Sequence, residues 1–217
     1  MVNPECRIIK KNNARSFTRL SWAAIISLAA FLMFCEPVAG IEIKKISVSD
    51  ATAGMNQLIF IDARPVNIWQ RNHIPGSRSF SWETHTRTDT DGVKYRTVTP
   101  KALANVLGSL GISHTDAIVV YGDADTSWGG EGWVVWVFAW LGHQGPVYAL
   151  DGGISLWQSK GYPIEKSKRS DFPVKKYLVS LQPDQNISAA DIAKARNSIT
   201  LVDTRNYLTE WLPGHIP

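Results

Sequence analysis

Cysteine and aspartate are the side chains here best suited to nucleophilic chemistry, and their positions limit what is open. The only cysteines are Cys6 and Cys35, both within the first 35 residues. A thiolate there would be a strong nucleophile, able to attack sulfur or carbon. The carboxylate candidates are Asp123 and Asp125, which follow the apolar run Ile118–Tyr121 in a loop reading Gly122-Asp-Ala-Asp-Thr-Ser-Trp128. One carboxylate of such a pair can attack phosphorus while the next handles the proton, with Mg²⁺ bound. The plainer reading, favoured by the preceding Gly122, is a solvated loop facing a partner domain. Asp62 and Asp203 end apolar runs and suit capping of the turns that follow. His73 and His215 each sit in a His-Ile-Pro turn, where a fixed imidazole suits a structural hydrogen bond. His85 and His114 have no ligand partners close in sequence, so no metal centre is expected. Gly129-Gly130-x-Gly132 lacks the Lys-Ser/Thr of a phosphate-binding loop, so neither nucleotide nor other cofactor is expected.

The first 40 residues read as an export signal. Arg7, Lys10, Lys11, Arg15 and Arg19 precede the apolar run 20–35, and Val38 and Gly40 are the small residues of a cleavage site. Sixteen helical residues rise about 24 Å, short of a hydrocarbon core of roughly 30 Å. Cleavage after Gly40 is expected, with an uncleaved N-terminal anchor as the alternative. Membrane contact is then transient and made through the leader. Phe34 before Cys35 argues against lipidation, which wants a small residue there. The chain carries 23 basic and 19 acidic side chains, a formal charge of +4. The leader holds 5 of the basic and 2 of the acidic ones, which leaves 18 and 17. The basicity belongs to the export signal, so nucleic acid is not an expected partner. Residues 41–217 contain no cysteine.

Short apolar runs alternate with helical stretches along the remainder. Strands are predicted at Leu58–Ile61, Ile118–Tyr121 and Val147–Leu150, each continuously apolar. A short helix fits Pro65–Arg71. Residues 81–98 read as a polar surface excursion with an Asp91-Gly92 turn. Thr99-Pro100 opens a helix that stops at Gly111, with an N-cap and proline at the first helical position. The nine apolar residues Trp133–Leu141 place Trp133, Trp136 and Trp140 on one helical face. Another helix fits 155–160. The Lys-, Ser- and Pro-rich stretch after Gly161 has no period and reads as a linker. A helix then fits 188–196, and a strand fits Thr200–Val202. Strand–helix alternation with continuously apolar strands implies an α/β architecture, a mostly parallel sheet with helices on both faces.

The C-terminal residues repeat an earlier piece. Ile61-Asp-Ala-Arg64 recurs as Val202-Asp-Thr-Arg205, and Trp69 to His73-Ile-Pro75 recurs as Trp211 to His215-Ile-Pro217. Two matched clusters at nearly one offset predict a tandem protein, with one whole copy and the start of an incomplete second. About 30 residues carrying one strand cannot cover that strand's apolar faces, so the second copy's opening is expected to order poorly.

Asp62-Ala-Arg64, then Trp69, His73-Ile-Pro-Gly-Ser77, Tyr121, Gly142-His143, Leu150-Asp-Gly-Gly153, Trp157 and Gly161-Tyr-Pro163 together resemble the motifs of rhodanese-like sulfurtransferases. The resemblance implies a rhodanese-like domain at 45–165 and the start of a second at 188–217, which follow the signal peptide at 1–40 and are joined by the linker at 166–187. It also implies an activity like that of thiosulfate or 3-mercaptopyruvate sulfurtransferases. In that family a cysteine thiolate takes sulfane sulfur from a small donor and passes it, as a persulfide, to a thiophilic acceptor. The cysteine opens the loop that follows the strand matching Ile118–Tyr121. Gly122, Asp123 and Asp125 occupy that loop here, without a thiol and with charges that repel an anionic donor. The first copy is therefore expected to be inactive and packed on a second copy. That copy's cysteine is expected beyond Pro217, near position 264. Arg205 is the resemblance's candidate for binding the donor anion. The alternative is a non-catalytic module acting through protein contacts, and a cysteine in the second loop separates the two. Export places the protein in the periplasm of a Gram-negative bacterium, and otherwise outside the cell or anchored by its leader.

Overall fold

The computed structural model describes residues 41–123, 129–166 and 171–202. The leader with Cys6 and Cys35 lies outside the described residues, as do Asp125, Ser127, Trp128, Asp203, Arg205, Trp211 and His215. The described elements run β1 (Ile43–Ile46), α1 (Val48–Ala53), β2 (Ile59–Asp62), α2 (Val66–Trp69), β3 (Arg78–Ser79), α3 (Trp82–His85), β4 (Thr86–Arg87) and β5 (Arg96–Thr97). They continue as α4 (Pro100–Ser109), β6 (Ile118–Tyr121), α5 (Gly130–Trp140), β7 (Val147–Leu150), α6 (Gly153–Ser159), a 3-10 turn (Pro183–Gln185) and α7 (Ala189–Ala195). Five strands form one parallel sheet in the order β1-β7-β6-β2-β3.

Alternation along β6 divides the core. Ile118 and Val120 pack with Ile61, Leu103, Leu107, Val134, Val137 and Phe138, under α4 and α5. Val119 and Tyr121 face the other way, with Phe60, Val48, Ile154 and Trp157, under α1 and α6. Burial on both faces is why the three central strands are apolar without a break. Thr99 caps α4 as its sequence predicts, accepting the Ala102 N–H at 3.3 Å. On α5 the buried face is Val134, Val137 and Phe138, while the tryptophan row is only half buried. Trp136 and Trp140 stack at 5.1 Å.

Three departures from the sequence reading have physical causes. β1 and α1 were not expected. β1 is an edge strand whose Lys44 and Lys45 interrupt the apolar signal and guard its open side. The excursion at 81–98 folds into α3 and the antiparallel hairpin β4–β5, whose tip closes when Asp89 Oδ1 accepts the Asp91 and Val93 N–H groups. Residues 200–202 form no strand. No neighbour takes their backbone hydrogen bonds among the described residues, and Val202 is 79% exposed.

The linker stretch has no regular structure over 171–182, yet it is held along α4 and α5. Lys175 N–H donates to the Gly108 carbonyl, and Ser180 and Gln182 N–H groups donate to Leu141 and Trp140, each at 2.9 Å. The Tyr177 ring is buried beside His143. His143 Nε2–H donates to the Asp116 carbonyl at 2.9 Å, which leaves Nδ1 to accept from the Tyr177 hydroxyl at 3.1 Å. Burial lowers the pKa of His143, and of His85, below the ordinary imidazole value. A histidine held neutral in the fold stabilises fully above its unfolded pKa of about 6.5, and that contribution is lost as pH falls through the folded value. Unfolding free energy is expected to drop between pH 7.5 and 5.5, by at most about 1.4 kcal/mol per pH unit for each proton taken up. Urea titrations at the two values check this, and His143→Gln is expected to flatten part of the slope.

Candidate functional site

Strand order reverses between β2 and β6. From β2 the chain moves outward to β3, and from β6 it moves the opposite way to β7. In open parallel sheets the crevice beyond the strand carboxyl ends at such a point is where ligands bind. Here those ends are Asp62-Ala63-Arg64 and Tyr121-Gly122-Asp123.

The β2 end is closed by an ion pair. Arg64 Nε and Nη2 donate to Asp62 Oδ1 and Oδ2 at 2.9 and 2.6 Å, and both residues are buried. Asp62 Oδ1 also caps the turn through the Arg64 N–H at 2.9 Å. Two further guanidinium donors reach the Asn72 side-chain and main-chain oxygens at 3.2 and 2.7 Å. Burial opposes the charge on Arg64, but the bonds and charge of Asp62 outweigh it and raise the pKa. With four of its five N–H donors engaged and its head out of solvent, Arg64 is poorly offered to an incoming anion.

A polar knot lies behind it. The Tyr121 hydroxyl accepts the Ile74 N–H at 3.1 Å and meets Ser77 Oγ at 2.8 Å. Ser77 Oγ in turn accepts from Trp69 Nε1 at 3.1 Å. Burial, then the charge of Asp62, pushes the Tyr121 phenol well above its ordinary pKa, so it stays protonated. His73 is buried, stacks on Trp69 at 4.3 Å and donates from Nδ1 to the Trp69 carbonyl at 2.7 Å. These contacts tie the opening motif together and present no free nucleophile.

The β6 end is where the resemblance to the sulfurtransferase motifs expects a thiol. Gly122 occupies that place, and a Cβ built on it would run into the Glu131 carboxylate from the first turn of α5. The Gly122 carbonyl accepts the Ile154 N–H at 3.0 Å. Gly153, at φ +54°, allows this approach, since any Cβ there would strike the Gly122 oxygen. Asp123 accepts from Ser155 Oγ at 3.2 Å. Gly122 and Asp123 follow β6 without regular structure, and nothing in the sequence signals Glu131 above them.

Beside the loop's far end lies an open pocket of about 340 Å³, lined by Trp82, Thr86, Tyr95, Thr97, Gly129 and Trp133. The sequence reading did not single it out. Its one legible signal was the pair Trp82 and Tyr95 inside an otherwise polar stretch.

Comparison with known proteins agrees with the motifs. The rhodanese-like domain family matches residues 47–160. A thiosulfate/3-mercaptopyruvate sulfurtransferase of Arabidopsis thaliana is 31% identical over 107 residues, covering 49% of this chain and 30% of that protein. The 3-mercaptopyruvate sulfurtransferase of Mus musculus is 28% identical over 163 residues, covering 69% of this chain and 53% of that protein. The chain thus spans about half, or less, of the length of these relatives. Among solved structures, SseA from Escherichia coli superposes with a TM-score of 0.64 at 18% identity, over 72% of this chain and 63% of that one. SseA has the rhodanese fold, which the five-stranded sheet and its covering helices share.

Proposed function

Because the chain belongs to the rhodanese-like family, we propose that it is the non-transferring first copy of a tandem sulfurtransferase, with residues 188–217 opening the second copy. In this reading a cysteine thiolate of the second copy takes the terminal sulfur of a small donor such as thiosulfate or 3-mercaptopyruvate and becomes a persulfide, as the S–S or C–S bond breaks and sulfite or pyruvate leaves. A thiophilic acceptor then removes that sulfur and regenerates the thiolate. The first copy supplies a packing surface rather than a reacting group. The leader exports the protein, to the periplasm in a Gram-negative cell.

One observation carries the reading. The residue that opens the β6 loop is Gly122, with Glu131 over it, and residues 41–217 hold no cysteine to replace the thiol. A carboxylate at that place raises the energy of an anionic sulfur species instead of lowering it. The Val202-Asp-Thr-Arg205 and His215-Ile-Pro217 repeats support the tandem arrangement, and Arg205 is the second copy's donor-binding candidate. Residues 41–217 are expected to form no thiocyanate above background from thiosulfate and cyanide. Turnover in that assay would overturn the proposal.

A further inference from the structure

The pocket between the β4–β5 hairpin and the start of α5 is built, not incidental. Tyr95 is the one non-glycine residue with a left-handed backbone among the described residues, at φ 63°. That conformation is disfavoured for a residue carrying a large side chain, and strain of this kind collects at binding sites. It holds an exposed ring 5.3 Å from Trp82 at an interplanar angle of 75°. Two rings near a right angle make a corner, and Trp133 supplies a third aromatic wall. Trp133 is itself fixed, by its Nε1 donating to Thr97 Oγ1 at 3.3 Å and by rings Phe80 and His85 packed against it.

The charge pattern decides what such a corner takes. None of the six described lining residues is charged. Thr86 and Thr97 are paired across the hairpin and line the pocket, and the next pair, Arg87 and Arg96, falls on the opposite face by strand alternation. Arg96 is bonded to Asp89 at 3.1 Å. Burial keeps His85 below the ordinary imidazole pKa, so it adds no charge at neutral pH. The start of α5 contributes about half a positive charge, but Glu131 in its first turn carries a full negative one, and Glu83 follows Trp82. Across 82–97, Arg87, Lys94 and Arg96 balance Glu83, Asp89 and Asp91, so Glu131 leaves the surroundings slightly negative, and aromatic faces attract cations through their quadrupoles.

We propose that this pocket binds a small quaternary ammonium cation, its methyl groups against Trp82, Tyr95 and Trp133. The site lies beside the β6 loop and is independent of sulfur transfer by a second copy. It gives the protein a ligand that none of the described lining residues could hold by ion pairing.

Calorimetric titration of the full chain with choline, with its uncharged isostere 3,3-dimethylbutan-1-ol and with thiosulfate tests this. Choline is expected to saturate one site at least about tenfold more tightly than the isostere, a gap within the range of cation–π attraction. Tyr95→Ala is expected to weaken choline about tenfold, and Tyr95→Phe to keep its affinity. Tyr95 is 67% exposed, so neither change threatens folding. Equal affinity for choline and the isostere would overturn the proposal, as would unchanged choline binding by Tyr95→Ala or thiosulfate binding in place of choline.

Discussion

Replacing Asp62 by alanine is expected to destabilise the domain by about 3–5 kcal/mol, the range found when one partner of a buried ion pair is removed. Asp62 is fully buried and Arg64 nearly so, with bonds of 2.6 and 2.9 Å between them. Without the carboxylate, the guanidinium keeps only the Asn72 oxygens, and neither carries charge. The turn after β2 also loses its cap on the Arg64 N–H. The double variant Asp62→Ala, Arg64→Met is expected to recover part of the loss, because no uncompensated charge then remains inside. Guanidinium chloride unfolding of the three proteins measures the cycle. A single-variant loss below about 1 kcal/mol, the scale of an exposed pair, would show that Asp62 and Arg64 are solvated and that Arg64 is open to ligand.

The parts of this fold that were legible are those whose signal is local. Ile118–Tyr121 and Val147–Leu150 read as central strands because burial on both faces removes every polar residue. Thr99-Pro100 read as a helix start because the capping bond spans three residues. β1 was missed because an edge strand exposes Lys44 and Lys45, and β3 because two residues carry no period. The hairpin was missed because β4 and β5 are two residues each and carry no period, although its Asp89-capped tip is local. The site divides in the same way. Gly122 and Asp123 followed from their place after β6, and the Asp62 cap followed from its place at the end of β2. Glu131 over Gly122, and the corner made by Trp82, Tyr95 and Trp133, depend on the direction in which α5 leaves the loop. No short window of sequence encodes that direction.

Trp157→Ala is expected to cost about 3–5 kcal/mol, the range for truncating a fully buried large aromatic. Trp157 has no exposed surface. Its ring meets Phe60 edge-on at 5.8 Å and lies against Tyr162 at 5.1 Å. Its Nε1 donates to the Pro163 carbonyl at 2.8 Å. This one side chain therefore joins α6 both to β2 and to the Gly161-Tyr162-Pro163 turn. Those family motif residues act through packing rather than through chemistry. Trp157→Phe separates the two contributions. It keeps much of the volume but leaves the Pro163 carbonyl without its donor, and the loss is expected to fall to about 1–3 kcal/mol. Differences in the guanidinium chloride midpoint, with unchanged slope, read both values. If alanine and phenylalanine cost the same, the hydrogen bond rather than the ring holds the turn. The 161–163 segment would then be the piece released first, and the β6 loop, joined to α6 through the Gly122 carbonyl, would be disturbed with it.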